Sequence, residues 1–341
     1  MRIRLTPAVV SDRKVAPILD VAMLFVEEGI HVLDPDQPED LLDSPWVTES
    51  SSRESGAALR TLIRTAMQTP ATGSVDTSSV IVLDPSARPT GDVNLAKKEM
   101  YIPPLPSLRV LSTPLNVVVE NEHGDGAFIL AMANAFGARD IVEAYNAGRW
   151  RFHHAGGCDQ ILKRVQALSF GIGPVSGRIN PHLGLRTVLM IDSDAQYPAD
   201  ETKNRKYAKV CQEHCADTHV LIKRSIENYL PFDLLAPRDM ELFDIFRRMN
   251  SEQRSHFHMK RGFSTSDGRK IRKEELCREA SSLYSDIKSK SWAKLQRGFG
   301  DHIGEDFLTS IDSLTEERLN NIGSEGKEEV RHIISMIRKH L

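Results

Sequence analysis

The sequence predicts an α/β protein with a parallel sheet flanked by helices, and two observations carry this prediction. From residue 115 to residue 230, segments rich in β-branched residues alternate with segments of helical character, which is typical of a doubly wound parallel sheet. The predicted strands read LNVVVENE, RWRFHHA, LRTVLMID and THVLIKR. Runs as apolar as VVV and VLMI are expected where a strand is covered on both faces.

An N-terminal α/β region is predicted for residues 1–110, with no assignable role. Helices are predicted within residues 12–30, with Asp12 as the N-cap, and within residues 54–68. SSVIVLDP reads as a strand that ends in turn residues. PPLPSL at 103–108 reads as a linker or an ordered extended connection, and it sets the predicted boundary near residue 110.

The strand pattern stops after about residue 235. Four amphipathic segments follow, which predict a helical C-terminal region over residues 236–341. The predicted organisation is therefore an N-terminal domain (1–110), a catalytic α/β domain (111–235) and this helical region.

Composition restricts the function classes. The chain has 341 residues, 40% hydrophobic and 27% charged, as is ordinary for a globular protein. The net charge of −3 means that nucleic-acid binding would need a local basic patch. Four scattered cysteines, no apolar run of membrane-spanning length and no secretory signal pattern predict a cytoplasmic chain with reduced thiols and no membrane partner.

Carboxylates follow two of the predicted strands. Glu120 and Glu122 come after VVV with Asp125 close behind, and Asp192 and Asp194 come after VLMI. Open parallel sheets bind ligands at the carboxyl ends of their strands, and alternate residues of an extended segment point the same way. Hard cations such as Mg²⁺ would offset the repulsion between these groups. The same residues are also typical of turns and helix caps, and Asp125 in particular is placed to cap the next helix.

The order of these motifs resembles the toprim fold. VVVENEHGDGAFI followed by VLMIDSDA is similar to the strand-end Glu and later Asp-x-Asp of that fold. VLIKRSIENYLP resembles a Lys-Arg-x-x-Ile-Glu-Asn-Tyr-Leu stretch of OLD-family and related defence-associated toprim nucleases. The resemblance covers about residues 115–235. The sequence differs from the toprim pattern at two points. Glu120 is followed by Asn121 instead of the usual glycine, and Asp125 lies one position later than usual.

The resemblance implies a toprim-like catalytic domain that uses Mg²⁺ or Mn²⁺, with two ions expected. The implied metal ligands are Glu120, Asp192 and Asp194, with Asp125, Glu122 and Glu227 at a second ion or around the first. Lys223 would neutralise charge that develops on the phosphate. Between Glu120 and Glu122, Glu120 fits the strand-end position better. Glu227 is equally typical of a structural helix start, and Lys223 of a solvated lysine at a strand end.

The function that this resemblance implies is a metal-dependent endonuclease, with DNA favoured as substrate, acting as effector of a prokaryotic anti-phage system. Two alternatives remain: an RNA- or tRNA-cleaving toxin with the same site, and a non-catalytic toprim regulatory subunit of an ATPase complex. No phosphate-binding G-x-x-x-x-G-K-[ST] loop occurs, so an ATPase or sensor would be a separate protein. A homo-oligomer is also left open.

The predicted contact with the nucleic-acid backbone lies further along the chain. HFHMKRGF and SDGRKIRK are locally basic, as phosphate-binding segments are. HFHMKRG also resembles a Lys-Gly element found after the core of some defence-associated toprim proteins. An ordinary solvated loop and helix face would have the same composition.

Overall fold

The computed structural model describes residues 1–34, 38–49, 53–68, 79–170 and 182–341. The strands are β1 (Arg2–Leu5), β2 (Val32–Leu33), β3 (Val80–Leu83), β4 (Asp92–Asn94), β5 (Glu99–Ile102), β6 (Leu115–Val119), β7 (Trp150–His154), β8 (Thr187–Ile191) and β9 (Asp217–Val220). The helices before residue 200 are α1 (Pro7–Ser11), α2 (Ala16–Glu27), α3 (Pro38–Leu42), α4 (Pro45–Thr48), α5 (Arg53–Gln68), α6 (Pro104–Leu111), α7 (Glu122–Ala135), α8 (Arg139–Asn146), α9 (Cys158–Phe170) and α10 (His182–Leu185). Those after it are α11 (Lys203–Cys211), α12 (Phe232–Leu235), α13 (Met240–Arg248), α14 (Ser251–His256), α15 (Arg278–Leu283), α16 (Ser289–Leu295), α17 (Asp306–Ser310) and α18 (Gly323–His340).

The first sheet has five strands in the order β2-β1-β3-β5-β4. Its strands are parallel except β4, which runs antiparallel to β5. The central strand β3 reads VIVL and is buried at every position, whereas its neighbours β1 and β5 are fully buried only at alternate residues. Ile3, Leu19, Ile63 and Met100 form part of the core of this region, and each is fully buried.

Two local predictions in this region are wrong. PPLPSL is not a linker: it opens α6, with Pro104 in the first turn, where the missing N–H would have had no helical partner. Asp12 does not cap α2, which begins after Val15 without a side-chain cap. The Asp12 carboxylate instead accepts a hydrogen bond from the Lys14 N–H in the turn before that helix.

The second sheet has four strands in the order β7-β6-β8-β9, all parallel. The α/β architecture with helix-flanked parallel strands is therefore confirmed. Both β6 and β8 are buried at every position, as their apolar sequences require. The chain leaves β6 towards β7 on one side and returns to β8 on the other, which makes the β6–β8 pair a topological switch point. Ligand crevices form outside the carboxyl ends of such strands.

The helical C-terminal region shares a hydrophobic core with the second sheet. Phe128 of α7 packs against Tyr229 and against Phe307 of α17, with ring centroids 5.3 and 5.2 Å apart. The core runs without interruption across residue 235, from the sheet to α18. The other face is covered by α9 and α11 through Ile161, Val165 and Cys211.

None of the helices in the described ranges is long and apolar enough to cross a membrane.

Candidate functional site

A cavity of about 230 Å³ lies where β6 and β8 end. Glu120 directly follows β6 and Asp192 directly follows β8, so both reach the crevice at the switch point. The acidic residues in its lining are Glu120, Asp125, Asp192, Glu227, Asp301 and Glu305. The cation in the lining is Lys260.

Asp192 is held by the loop that follows β9. Its Oδ1 accepts a hydrogen bond from the backbone N–H of Ile226 at 3.1 Å. Burial raises the pKa of this carboxyl well above its usual value, and the nearby Asp125 and Glu227 raise it further. A proton or a cation is therefore favoured at Asp192.

Asp125 combines a structural contact with a place in the cavity. Its Oδ2 accepts from the backbone N–H of Asn121 at 2.8 Å, which ties the start of α7 together. Asn121, not Asp125, is the N-cap of α7, because its side chain accepts from the His123 N–H. Asp125 is 6% exposed. Burial raises its pKa to about 7, with Glu120 and Glu227 adding to the shift and the Asn121 N–H opposing it.

Glu227 forms an ion pair with Lys260 in the cavity. Its Oε1 lies 2.9 Å from the Nζ of Lys260, and its side chain is almost wholly buried. Gly304 makes room for it, since a Cβ there would come within 2.9 Å of the same oxygen. Burial lowers the pKa of Lys260, but Glu227, Asp192 and Asp125 outweigh burial and raise it above the usual value. Lys260 is thus a charged counter-ion for several acids.

Two predicted ligands lie outside this lining. Glu122 is the exposed first residue of α7. Asp194 is exposed and has a φ of 55°, which breaks the extended geometry that would aim both Asp192 and Asp194 at one point. Its Oδ2 accepts from the Asn204 Nδ2 at 3.1 Å. Asp194 is still close enough to raise the pKa of Asp192.

Lys223 is also absent from the lining, as far as the structure describes it. Its Nζ donates to the backbone carbonyl of Asn228 at 3.2 Å and lies 4.9 Å from the centre of the Tyr229 ring. Arg224 is turned towards the backbone carbonyl of His256, at 3.4 Å. The predicted contact between Lys223 and a reacting phosphate stays a prediction.

Three residues of the cavity were not singled out from the sequence. Lys260 belongs to the basic segment HFHMKRGF, so a signal for it existed, but its pairing with Glu227 depends on tertiary structure. Asp301 and Glu305 lie on a short 3₁₀ helix more than a hundred residues beyond β8. DHIGED carries no motif that would indicate their position.

The donor chemistry of the cavity fits a hard divalent cation, because its lining is rich in carboxylate oxygens. Among the described residues, no three His, Cys, Asp or Glu side chains are already arranged to hold a metal ion. Protein donors engage the carboxylates instead: Ile226 at Asp192, Asn121 at Asp125 and Lys260 at Glu227. Metal binding would therefore require these side chains to exchange partners.

The fold and the cavity define an α/β protein with an acidic crevice at the switch point of a parallel sheet. No protein-family model matches the chain, and no curated protein or solved structure matches it.

Proposed function

We propose that this chain is a toprim-type nuclease that depends on a divalent metal and hydrolyses phosphodiester bonds. The supporting observation is the crevice between β6 and β8, whose described lining holds six acids and one lysine. Burial and mutual repulsion raise the pKa of Asp125 and Asp192. Perturbed acids that converge in a cleft are typical of functional sites.

The residues that would hold Mg²⁺ or Mn²⁺ are Glu120, Asp125, Asp192 and Glu227. Their oxygens are hard ligands, and a divalent cation would relieve the repulsion that adds to burial in raising the pKa of Asp125 and Asp192. When bound, such a cation polarises a phosphate and lowers the pKa of a water molecule. Asp194 would act through Asn204, whose side chain also donates to the Asp192 carbonyl at 2.9 Å.

Lys260 is the cation that we assign to the reacting phosphate. Its ammonium pairs with Glu227 and stays charged at neutral pH. A ligand that takes over Glu227 would free Lys260 to donate to a phosphate oxygen and to stabilise negative charge in the transition state. Its neighbour Arg261 is half exposed, and its Nε lies 3.7 Å from Oδ1 of Asp301, another acid of the lining.

The favoured substrate is DNA, and the resemblance to defence-associated proteins makes an anti-phage effector the proposed role. An RNA- or tRNA-cleaving enzyme would use the same carboxylates. One observation favours a second candidate, a non-catalytic subunit of an ATPase complex: among the described residues no metal-binding triad is preformed.

A substrate panel tests the proposal. The purified chain is incubated with plasmid, single-stranded DNA and tRNA in Mg²⁺, in Mn²⁺ and in chelator. We expect cleavage that needs the metal, with DNA as the better substrate. Cleavage that persists unchanged in chelator and in Asp192→Asn would contradict the nuclease site. A chain inactive on all three substrates that co-purifies with an ATPase would favour the second candidate.

A further inference from the structure

We propose that Arg151 and Arg164 bind the phosphate backbone of a nucleic-acid strand at the outer edge of the second sheet. Strand β7 forms this edge, and its alternate residues Arg151 and His153 lie on one face of the strand. Arg164 belongs to α9, which packs on that face. The inference deepens the proposed function, and it rests on that function for the nature of the partner.

A chain of hydrogen bonds holds the two guanidinium groups in place. The Oδ1 of the buried Asn116 accepts from Arg151 Nε at 3.1 Å and from His153 Nε2 at 2.8 Å. At the other ring nitrogen, His153 Nδ1 lies 2.9 Å from Arg164 Nη2. An arginine can only donate, so Nδ1 is the acceptor and the ring proton is on Nε2. His153 is therefore neutral, and it connects two positive groups without adding charge.

The surroundings of His153 are positive. Burial, Arg164 and Arg151 together lower the pKa of this imidazole to about 4, and no carboxylate of the described residues opposes them. Neither arginine has an ion-pair partner in the part of the chain that the structure describes. The two like charges repel each other, and a bound anion would offset that repulsion.

Arg164 also has a buried donor without a partner. Its Nε is inaccessible to solvent and forms no hydrogen bond with the described residues. Such donors are rare in folded proteins, because each costs the free energy of its lost hydration. A phosphate offers acceptors to Nε and to the terminal nitrogens of the same guanidinium, so its binding would remove that cost.

The position of the pair suits a strand that also enters the crevice. Arg151 is exposed, and so is Lys163, the neighbour of Arg164 on α9. In the parallel pairing of β6 with β7, Arg151 lies opposite Asn116, four residues before Glu120. Arg151 is therefore roughly 13 Å from Glu120 along the strand direction. A chain with a net charge of −3 needs such a local group of cations to bind nucleic acid.

Fluorescence anisotropy on the full-length chain tests the site, with a labelled single-stranded DNA in chelator so that no cleavage occurs. The double variant Arg151→Gln with Arg164→Gln should weaken binding about tenfold or more, because two charged donors are lost. The plot of log Kd against log salt concentration should become shallower by about 1.4, as expected for the loss of two phosphate contacts with a single strand. A purely structural role would leave this slope unchanged.

The matched control is Arg13→Gln with Arg88→Gln, which removes the same charge from exposed ion pairs with Glu49 and Asp92. It should bind like the wild type. Arg151→Gln alone separates binding from folding, because this side chain is exposed. Its Tm should equal that of the wild type, while the slope becomes shallower by about 0.7.

The proposal is wrong if the DNA does not bind, or if the two double variants bind it equally well. It is also wrong if inorganic phosphate displaces the DNA better than chloride does at the same ionic strength, since the arginines would then hold a free phosphate. Cleavage together with equal binding by the two double variants overturns this inference alone. Binding through the arginines by a chain that never cleaves overturns the nuclease alone.

Discussion

The two sheets end in cavities of the same size, about 230 Å³, but of opposite character. At the carboxyl end of β1, the first cavity is lined mainly by apolar side chains, including Leu5, Pro7, Val10, Leu41 and Val82. Its Arg4 is neutralised by Asp34, with Nη2 and Oδ2 2.7 Å apart. In the second cavity, the described lining holds six carboxylates and one lysine, Lys260, which pairs with Glu227.

The contrast shows that the architecture creates a crevice, whereas the residues just after the strands decide its chemistry. A carboxylate that is already paired, as Asp34 is with Arg4, has little tendency to bind a metal cation. Acids that outnumber the nearby cations repel one another. A bound metal cation would relieve that repulsion. The predictions below test this difference.

The largest effect is expected from Asp192→Asn. Loss of this carboxylate should slow cleavage about a thousandfold, since electrostatic groups in direct contact with the reaction contribute effects of that order. Asp194→Asn should cost about tenfold, because Asp194 acts through Asn204. Initial rates of plasmid nicking measure both. Equal losses, or a greater loss in Asp194→Asn, would mean that Asp194 turns into the crevice.

The next effect concerns the anchoring of the second sheet to α18. Glu329→Leu removes the acceptor of His219, Ile222 and Tyr229 and should lower the free energy of unfolding by about 3 kcal/mol. Denaturant unfolding measures it. Glu328→Leu, an exposed position on the same helix, is the control and should change stability by less than about 0.5 kcal/mol. An equal loss of stability in the two variants would show that the buried contacts of Glu329 do not hold α18 against the sheet.

A smaller effect, of opposite sign, is expected from Asp125→Asn. The pKa of Asp125 is raised from 3.8 to about 7 in the folded protein, so its contribution to stability is present at low pH and is lost as pH rises through about 7. At pH 8, without metal, the variant should be about 1–2 kcal/mol more stable than the wild type. Near pH 4 the gain should vanish. A variant that is destabilised at pH 8 would show that the acids do not repel each other.

The smallest effect is expected in the first cavity. Asp34→Asn breaks a partly exposed ion pair and should cost about 0.5 kcal/mol. It should leave cleavage and metal binding unchanged. Chemical unfolding and the nicking assay measure the two quantities, and a loss of cleavage would show that the two cavities are coupled.

The strands and the residues that end them could be predicted where the sequence is strongly apolar. LNVVV and TVLMI are typical of buried strands, so Glu120 and Asp192 could be placed at a common sheet edge. Strands β1 and β5 escaped prediction because RIRL and EMYI are only four residues long, too short for their alternation to stand out. The orientation of Asp194 could not be predicted, because a left-handed residue cannot be recognised from a D-x-D spacing.

The rest of the crevice depends on long-range packing. Lys260 comes from a turn, and Asp301 and Glu305 come from a 3₁₀ helix. The core shared by the sheet and the C-terminal helices brings these residues to the end of β6. The sequence around these residues gives no sign that they lie near the end of β6.

The most direct test of the account is Mn²⁺ binding to the wild type, Asp192→Asn and Asp34→Asn, followed by the thermal shift at pH 6 and pH 8. We expect Mn²⁺ to raise the Tm of the wild type and of Asp34→Asn, more at pH 8 than at pH 6 because protons compete for the acids. The shift should be absent in Asp192→Asn. An equal shift in all three proteins, or none in the wild type, would contradict a metal site at the ends of β6 and β8.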